Sequence, residues 1–468
     1  MTHTPDRRTS LRLTHSQHET IGHLCAADGG KMTMSAWIAR AIDEKIQRDT
    51  ELALTRPTHT ARQGRRFYEF FAGGGMARAG LGPEWECLFA NDFNPMKGRA
   101  YRDNWNGGLD LLVEDINNVT TGHLPDQADL VWASFPCQDL SLAGVYKGIG
   151  REQDEQKTRS GTFWPFWQLM RDLMAEKRAP KVIVLENVYG ILTSNKGEDF
   201  AAIGSVLCEA GYRFGAMVID ARHFLPQSRP RVFIVGVQSD VAIPAALVSE
   251  VPVTPWHPER MVKAYAGLSQ DAREAWVWWN LALAQARTSS FIGLIEAHPE
   301  GVKWDSAQKT QQLLAMMSPT NLDKVRAAQQ SGQRMVGGLY KRTRLDEQGN
   351  KVQRAEVRFD DVAGCLRTPA GGSSRQVILV VEGEQIQSRL LSAREAARLM
   401  GLDDTYKLPG NYNDAYHVVG DGVAVPVVRH LAQCLFEPLL SEPSTHRPAR
   451  KQPVALATDS PQSLPSSG

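Results

Sequence analysis

The 468-residue chain reads as an α/β protein built on a doubly wound sheet, with a short strand-helix-helix unit before it and a smaller domain inserted near its end. Three observations carry this. Between residues 67 and 237, short apolar runs alternate with helical stretches, as strands and their covering helices do. The alternation lapses from 238 to 387 and returns over 388–437, where "SAREAARLMGL" is plainly helical. Residues 1–50 carry their own change of period, set off by a polar connector at 51–66.

Composition excludes several classes. Hydrophobic residues at 42% and charged residues at 22% are ordinary for a globular protein, and a formal net charge of +1 gives no global field announcing a nucleic-acid partner. Any basic surface must be local. Six cysteines without a CxxC pair argue against a zinc site, so no metal is expected, and against a disulfide framework. The reading is a reducing, cytoplasmic compartment. "MTHTPDRRTSLRL" lacks an apolar signal core, and no run of about 18 apolar residues suggests a membrane span. The Ser- and Pro-rich tail, 438–468, reads as disordered.

In the first unit, "TSLRLTH" (Thr9 to His15) alternates as a half-buried strand does. A helix follows from about Ser16, with Ile21, Leu24 and Cys25 at helical spacing, until Gly29-Gly30 break it. Thr33 or Ser35 can cap a second helix with Trp37, Ile38, Ala41, Ile42 and Ile46 on one stripe. This order resembles the ribbon-helix-helix DNA-binding fold. The resemblance implies a homodimer through residues 1–50, with Ser10, Arg12 and Thr14 reading bases. The plain alternative is a helical extension that packs on the body or on another copy.

The expected strands of the main sheet are "RFYEFFAG", "WECLFAND", "ADLVWAS", "KVIVLENV", "RFGAMVIDA" and "RPRVFIVGV". After the first, Gly73, Gly74 and Gly75 let backbone approach a ligand closely. The dinucleotide fingerprint GxGxxG fails at Arg78, which disfavours a NAD enzyme. Asp92, ending the second strand, suits ribose hydroxyls, and Asp115 suits an adenine amino group; alternatively each only caps the helix after it. A glycine turn, a ribose acid and a third acid in this order resemble the Rossmann-like S-adenosylmethionine (SAM) methyltransferases.

Cys137 differs from the other cysteines by position. It follows "ADLVWAS" at the carboxyl edge of the sheet, with Pro136 fixing the backbone before it. Glu186 ends the next strand, and Arg229 and Arg231 sit in "QSRPRVFIVG". A carboxyl after four apolar residues is expected to be raised in pKa by desolvation; arginines nearby oppose that and help hold the cysteine as thiolate.

"EFFAGGG", "PCQDLS", "ENV" and "QSRPR", in this order and at strand ends, resemble the cytosine carbon-5 DNA methyltransferases of bacterial restriction-modification systems. The resemblance runs from about Phe67 to Leu435 and includes "SAREAARLMGLDD" and "YHVVGDGVAVPVV". It implies a SAM-dependent DNA (cytosine-5-)-methyltransferase acting on a flipped-out base of double-stranded DNA, with a cognate restriction endonuclease as a further partner. By that likeness Cys137 is the nucleophile, Glu186 the acid at ring nitrogen 3, and Arg231 with Arg229 the holders of the base oxygen. Phe71 lies on the cofactor adenine and Glu69 near its methionine amino group; Pro136, Asp421 and Val423 complete the cofactor contacts. Gln138 and Ser141 begin the loop that closes on the flipped base.

Two positions depart from the family. Met76 replaces the turn's final glycine, and a last motif that is commonly Gly-Asn-Ser-Val reads Gly420, Asp421, Gly422, Val423. Asp421 cannot donate as an amide does and adds charge near the cofactor. The family reads DNA with the segment before its last helices, here 238–387. There "YKRTRLDEQGNKVQR" suits phosphates, or is a solvated hairpin turning near Gly349-Asn350; Arg367, Thr368 and Arg375 can reach the DNA; Trp276, Trp278 and Trp279 read as core. Two other functions remain in view. One is RNA cytosine methylation; the other is a DNA-binding regulator, in combination a methyltransferase that represses its own promoter through residues 1–50.

Overall fold

In a computed structural model the described residues are 15–27, 33–43, 64–136, 162–346, 348–366 and 375–441, in two units spanning 1–63 and 64–468. Cys137, Gln138, Ser141, Arg367, Thr368, Ser10, Arg12 and Thr14 lie outside the described residues, as do the expected strand up to Thr14 and the tail from residue 442.

The first unit contains α1 (His15–Ala27) and α2 (34–43). Thr33, not Ser35, caps α2: its hydroxyl accepts from the Ala36 N–H at 3.3 Å and its carbonyl from that of Trp37 at 2.9 Å. Ile21 and Cys25, one turn apart, are buried, whereas Leu24 and Ile42 are nearly half exposed.

The second unit opens with β1 (Arg65–Phe70), α3 (Met76–Leu81), β2 (Trp85–Asp92), α4 (Pro95–Asn104), β3 (Leu111–Val113) and β4 (Leu130–Ala133). Then come α5 (Phe163–Ala175), β5 (Val182–Val188), α6 (Glu198–Glu209), β6 (Tyr212–Asp220) and β7 (Pro230–Gln238). The sheet order is β3-β2-β1-β4-β5-β7-β6. The five strands from β3 to β5 pair in parallel. β7 is antiparallel to both β5 and β6 because no crossover helix separates it from β6, and such a connection can only make a hairpin. Phe67 to Phe70, Leu130 to Ala133 and Val182 to Leu185 are buried on both faces, which is why these strands are continuous apolar runs. Strand order reverses between β1 and β4, so their carboxyl ends flank the crevice where such sheets bind ligands. The six expected strands are all present; β3, three residues long, carries too little pattern to be seen in sequence.

Past β7 the chain adds β8 (Val248–Ser249), α7 (Glu259–Ala266), α8 (Gln270–Glu274) and β9 (Trp278–Trp279). Trp279 is fully buried, and the Trp276 ring meets Phe214 of β6 edge-on at 5.3 Å, so the tryptophans are core. After α9 (Phe291–Leu294), α10 (Ala307–Ala315) and α11 (Pro319–Gln330) cover a second sheet. It comprises β10 (Met335–Leu345), β11 (Lys351–Arg358), β12 (Val377–Glu382) and β13 (Gln385–Leu390), all antiparallel, in the order β11-β10-β12-β13. The β10–β11 hairpin turns where expected: Asp346 accepts the N–H groups of Gln348 and Asn350, and Gly349 takes φ +82°.

The chain returns through α12 (Ala393–Leu399), α13 (Tyr412–Asp421) and α14 (Val425–Leu431). Residues 412–440 are helical and apolar enough on average to pass for a membrane span, but Tyr416, Val419, Val428, Leu431 and Leu435 are buried in the main core. At the junction of the second sheet and α12, Arg389 donates to both Glu395 carboxylate oxygens, at 2.8 and 2.6 Å, with both side chains fully buried. Breaking such a pair leaves a buried charge alone, at about 3–5 kcal/mol. Arg389→Met is therefore expected to lower the melting temperature by several degrees in a thermal-shift assay, and Arg389→Met with Glu395→Leu to recover much of the loss.

Candidate active site

At the carboxyl end of β1 the chain turns left-handed three times, at Phe71 (φ 57°), Gly73 (φ 57°) and Gly75 (φ 77°). Asp92 fixes this turn to the end of β2, accepting from the Gly73 N–H at 2.8 Å with one oxygen and from Asn94 at 2.8 Å with the other. The three glycines have different duties. A Cβ on Gly74 would lie 2.2 Å from the Tyr406 hydroxyl, and one on Gly75 2.1 Å from the Trp105 indole nitrogen, so both permit close packing within the protein. Tyr406 and Trp105 both donate to the Gly74 carbonyl. A Cβ on Gly73 would meet nothing within 4 Å, so of the three it is Gly73 that borders open space.

Other groups around this turn fit a nucleoside with a charged tail. Glu69 is buried beneath it, and its Oε2 has no hydrogen-bond partner. Phe93, directly after Asp92, is 64% exposed, an unusual cost for an aromatic ring unless a flat ligand covers it. Its signal in sequence was only its place next to the ribose acid. Asp115 caps a short 3₁₀ turn, accepting from the Asn117 N–H at 2.9 Å. α4 is capped by Asn94 and not by Asp92. Behind the turn, Arg78 donates to Asp110 at 2.5 Å and to Tyr101 at 2.7 Å, with its guanidinium 4.9 Å from the Trp105 ring centre.

The neighbouring strand ends bring the second group together. Glu186, at the end of β5, is 8% exposed and pairs with the Arg231 Nε at 3.2 Å. The adjacent Asn187 donates to the Phe135 carbonyl at 3.1 Å, clamping the β4 end that runs through half-buried Pro136 into Cys137. Arg229 is differently employed: its guanidinium donates to the carbonyls of Leu366 (3.0 Å), Gly420 (2.9 Å) and Gly422 (2.7 Å). Of the two arginines, Arg231 is the one paired with Glu186. Cys365 lies 3.5 Å from Arg229 and 3.9 Å from Arg231, and Gln227, fully buried, joins Leu366 to Leu399. Asn187 and Gln227 stand within the quoted motifs, yet their partners at 135, 366 and 399 are not legible there.

The two departures from the expected motifs are each matched by a partner. The Asp421 carboxylate lies 2.8 Å from Lys97 Nζ, on α4. A Cβ on Gly422 would fall 2.1 Å from the Met76 sulfur, so a side chain gained at 76 is accommodated by one lost at 422. Val423 is buried.

Comparison with known proteins agrees with this geometry. The family described as C-5 cytosine-specific DNA methylase matches residues 65–437. The chain belongs to that family. Among curated relatives it is similar to the DNA-cytosine methyltransferase of Escherichia coli K12, 26% identical over 449 residues, covering 87% of this chain and 84% of the relative. It is likewise similar to the type II methyltransferase M.NlaX of Neisseria lactamica, 26% identical over 372 residues, covering 79% and 95%. In fold it matches the Dnmt2 methyltransferase of S. pombe with a TM-score of 0.50 at 16% identity, over 81% of this chain and all of that one. This C-5 DNA methylase is thus a SAM-dependent DNA (cytosine-5-)-methyltransferase, with the α/β fold expected of one.

The methylase also has a basic cleft. A cavity of about 970 Å³ runs between the main sheet and the second one, lined by Lys309, Lys324, Lys341, Arg342, Arg358 and Arg375 against Asp305 and Glu356. Arg342 stands directly opposite Arg354 in the hairpin register, and Glu356 offsets that like-charge pairing by accepting Arg342 at 3.3 Å and Arg344 at 2.5 Å. Arg375 donates to Asn413 at 2.6 Å and sits 5.5 Å from the Tyr412 ring centre. Lys309, Lys324 and Arg358 escaped the sequence reading because they come from separate elements that only folding assembles.

Glu69 gives the site a pH signature. Burial pushes its pKa up to about 8, against the opposing charge of Arg78. Unfolded, the same carboxyl titrates near its ordinary value, so between about pH 4.5 and 8 the unfolded chain ionises while the folded one stays protonated. Folded stability from this group is full below that window and is lost as pH rises through it. Ligand-free protein is therefore expected to melt progressively lower from pH 5 to 8 by calorimetry, and Glu69→Gln to flatten that slope.

Proposed function

We propose that this methylase acts on a cytosine flipped out of a specific duplex sequence, through a covalent adduct at Cys137. The observation that carries the proposal is the Glu186–Arg231 pair, at 3.2 Å, beside the strand end that leads into Cys137. Carbon 5 of cytosine is a poor nucleophile. Thiolate addition at carbon 6 turns the ring into an enamine whose carbon 5 can accept a methyl group. Glu186 protonates ring nitrogen 3 as the thiolate adds, and Arg231 offsets charge on the base oxygen. Arg229 holds this arrangement in place through the backbone of 366, 420 and 422. S-adenosylmethionine supplies the methyl group. Asp92, Asp115, Phe71 and Phe93 would hold its nucleoside, with Gly73, Gly74 and Gly75 beneath it, Pro136 and Val423 beside it, and Glu69 and Asp421 toward its amino-acid end. Loss of the carbon-5 proton to a base, for which water suffices, then releases Cys137.

Residues 238–387 are the DNA-reading segment in this proposal, with Arg367, Thr368 and Arg375 near the flipped base and Gln138 and Ser141 in the closing loop. The basic cleft supports duplex binding, since six cations line it in a chain whose net charge is only +1. Residues 1–50 would dimerise and bind the gene's own promoter through Ser10, Arg12 and Thr14, and a cognate restriction endonuclease would cut the unmethylated sequence.

Expression in a host lacking cytosine methylation, followed by genome-wide mapping of 5-methylcytosine, is expected to reveal one modified sequence and no modification of tRNA. Cys137→Ser should abolish modification, and Glu186→Gln should slow single-turnover transfer by about 100-fold or more. Absence of methylation in every context would overturn the activity; methylation by the serine variant would overturn the mechanism. Neutralising Lys309 or Lys324 should weaken duplex binding and lessen the slope of log K against log salt by about 1. If promoter binding and dimerisation survive deletion of residues 1–48, the regulatory role fails.

A further inference from the structure

The two departures from the family motif converge on one place. Lys97 stands in the first turn of α4, the helix whose start is fixed to the glycine turn by Asp92 through Gly73 and Asn94. Asp421 ends α13, whose last carbonyls are held by Arg229 and whose next residue, Gly422, packs against Met76 at the other side of the same turn. The Lys97–Asp421 bridge, 2.8 Å long, therefore ties the two walls that flank the turn. Its side chains are only 17% and 30% exposed, so the pair is largely withdrawn from solvent screening.

An amide at position 421 would need no counterion, and an aspartate does. Were the bridge merely a strut between α4 and α13, an uncharged contact would hold the walls with no desolvation cost. A charged pair at a cofactor pocket is different when the ligand itself ends in opposite charges. Beneath the same turn lies a further buried polar group, the carboxyl oxygen Oε2 of Glu69, which has no hydrogen-bond partner.

We propose that Lys97 and Asp421 form a charged clasp that positions the zwitterionic amino-acid end of S-adenosylmethionine, Lys97 serving its carboxylate and Asp421 its ammonium group. The proposal rests on the cofactor placement given above. On this view Asp421 is not a weakened asparagine. It is half of a recognition pair whose other half stands on α4, and Met76 with Gly422 reshapes the floor beneath it. The clasp reads the amino-acid tail and leaves the nucleoside to Asp92 and the aromatic rings.

The test compares two ligands by isothermal titration calorimetry on the intact protein: S-adenosylhomocysteine, which carries the amino-acid tail, and 5′-methylthioadenosine, which lacks it. Lys97→Met is expected to weaken S-adenosylhomocysteine tenfold or more and to leave methylthioadenosine unchanged. Adding Asp421→Asn to Lys97→Met should not recover that loss, because the ligand's ammonium group then loses its carboxylate as well; recovery to the parent's affinity would overturn the proposal. Lys97→Arg, which keeps the charge, should stay within about threefold of the parent for both ligands. Equal weakening of both ligands by Lys97→Met would make the bridge a strut and overturn the proposal, as would an unchanged affinity for S-adenosylhomocysteine. Asp92→Ala is the control on placement: it should weaken both ligands, and if it weakens neither, the cofactor site itself is misplaced. Should Lys97→Met prove insoluble, Lys97→Gln provides the same comparison.

Discussion

The buried guanidinium of Arg229 is the contact on which the site depends. Among the described residues it has no carboxylate hydrogen-bond partner. Its charge is met by the carbonyls of Leu366, Gly420 and Gly422, two of them at the end of α13, where helix carbonyls lack partners and the helix dipole is negative. Burial and the neighbouring Arg231 push its pKa down to about 10, which still leaves it charged at neutral pH. One side chain so joins the start of β7, the segment ending at Leu366 and the turn after α13. Gln227 repeats the device two residues earlier, binding Leu366 with its carbonyl and Leu399 with its amide. Because these acceptors are backbone atoms, positions 366, 399, 420 and 422 are held in place whatever their side chains.

This hub explains how the reactive groups keep their places. Arg231 can meet Glu186 because Arg229 and Gln227 fix the chain just before it, and because β7 runs antiparallel beside β5, which puts Arg231 opposite Val188. Asn187 does the same for the third strand end by clamping Phe135. These strand ends are thus tied together by amides and a guanidinium, with rigidity coming from buried hydrogen bonds as much as from apolar packing.

Much of this was legible in the sequence, and the remainder failed for identifiable reasons. The parallel strands announce themselves because burial on both faces demands unbroken apolar runs such as "KVIVLEN". Glu186 and Asp92 are legible because strand ends at the crevice place few constraints on residue type other than chemical ones. The second sheet was largely illegible: the far half of β10 is exposed, and Gly337-Gly338 interrupt its buried half, so only its hairpin turn shows. The division of labour between Arg229 and Arg231 was illegible for a different reason. The acceptors of Arg229 lie 137 to 193 residues away, and only the fold brings them near. Lys97 escaped likewise, since Asp421 looked like an isolated defect until its partner on α4 was in view.

The placement of charge divides the molecule by function. Around the glycine turn, charges are paired and at most partly exposed: Arg78 with Asp110 and Lys97 with Asp421, beside a Glu69 kept protonated at neutral pH by burial. Little of that is open to salt, because screening acts on exposed charges. On the cleft side, Lys309 and Arg342 are paired with Asp305 and Glu356 yet stay more than half exposed, so salt and a polyanion both compete for them. A net charge of +1 conceals this division, because the basic cleft is offset by acidic residues elsewhere on the chain. Overall charge therefore says nothing about a DNA partner here, and its distribution over the fold says a good deal.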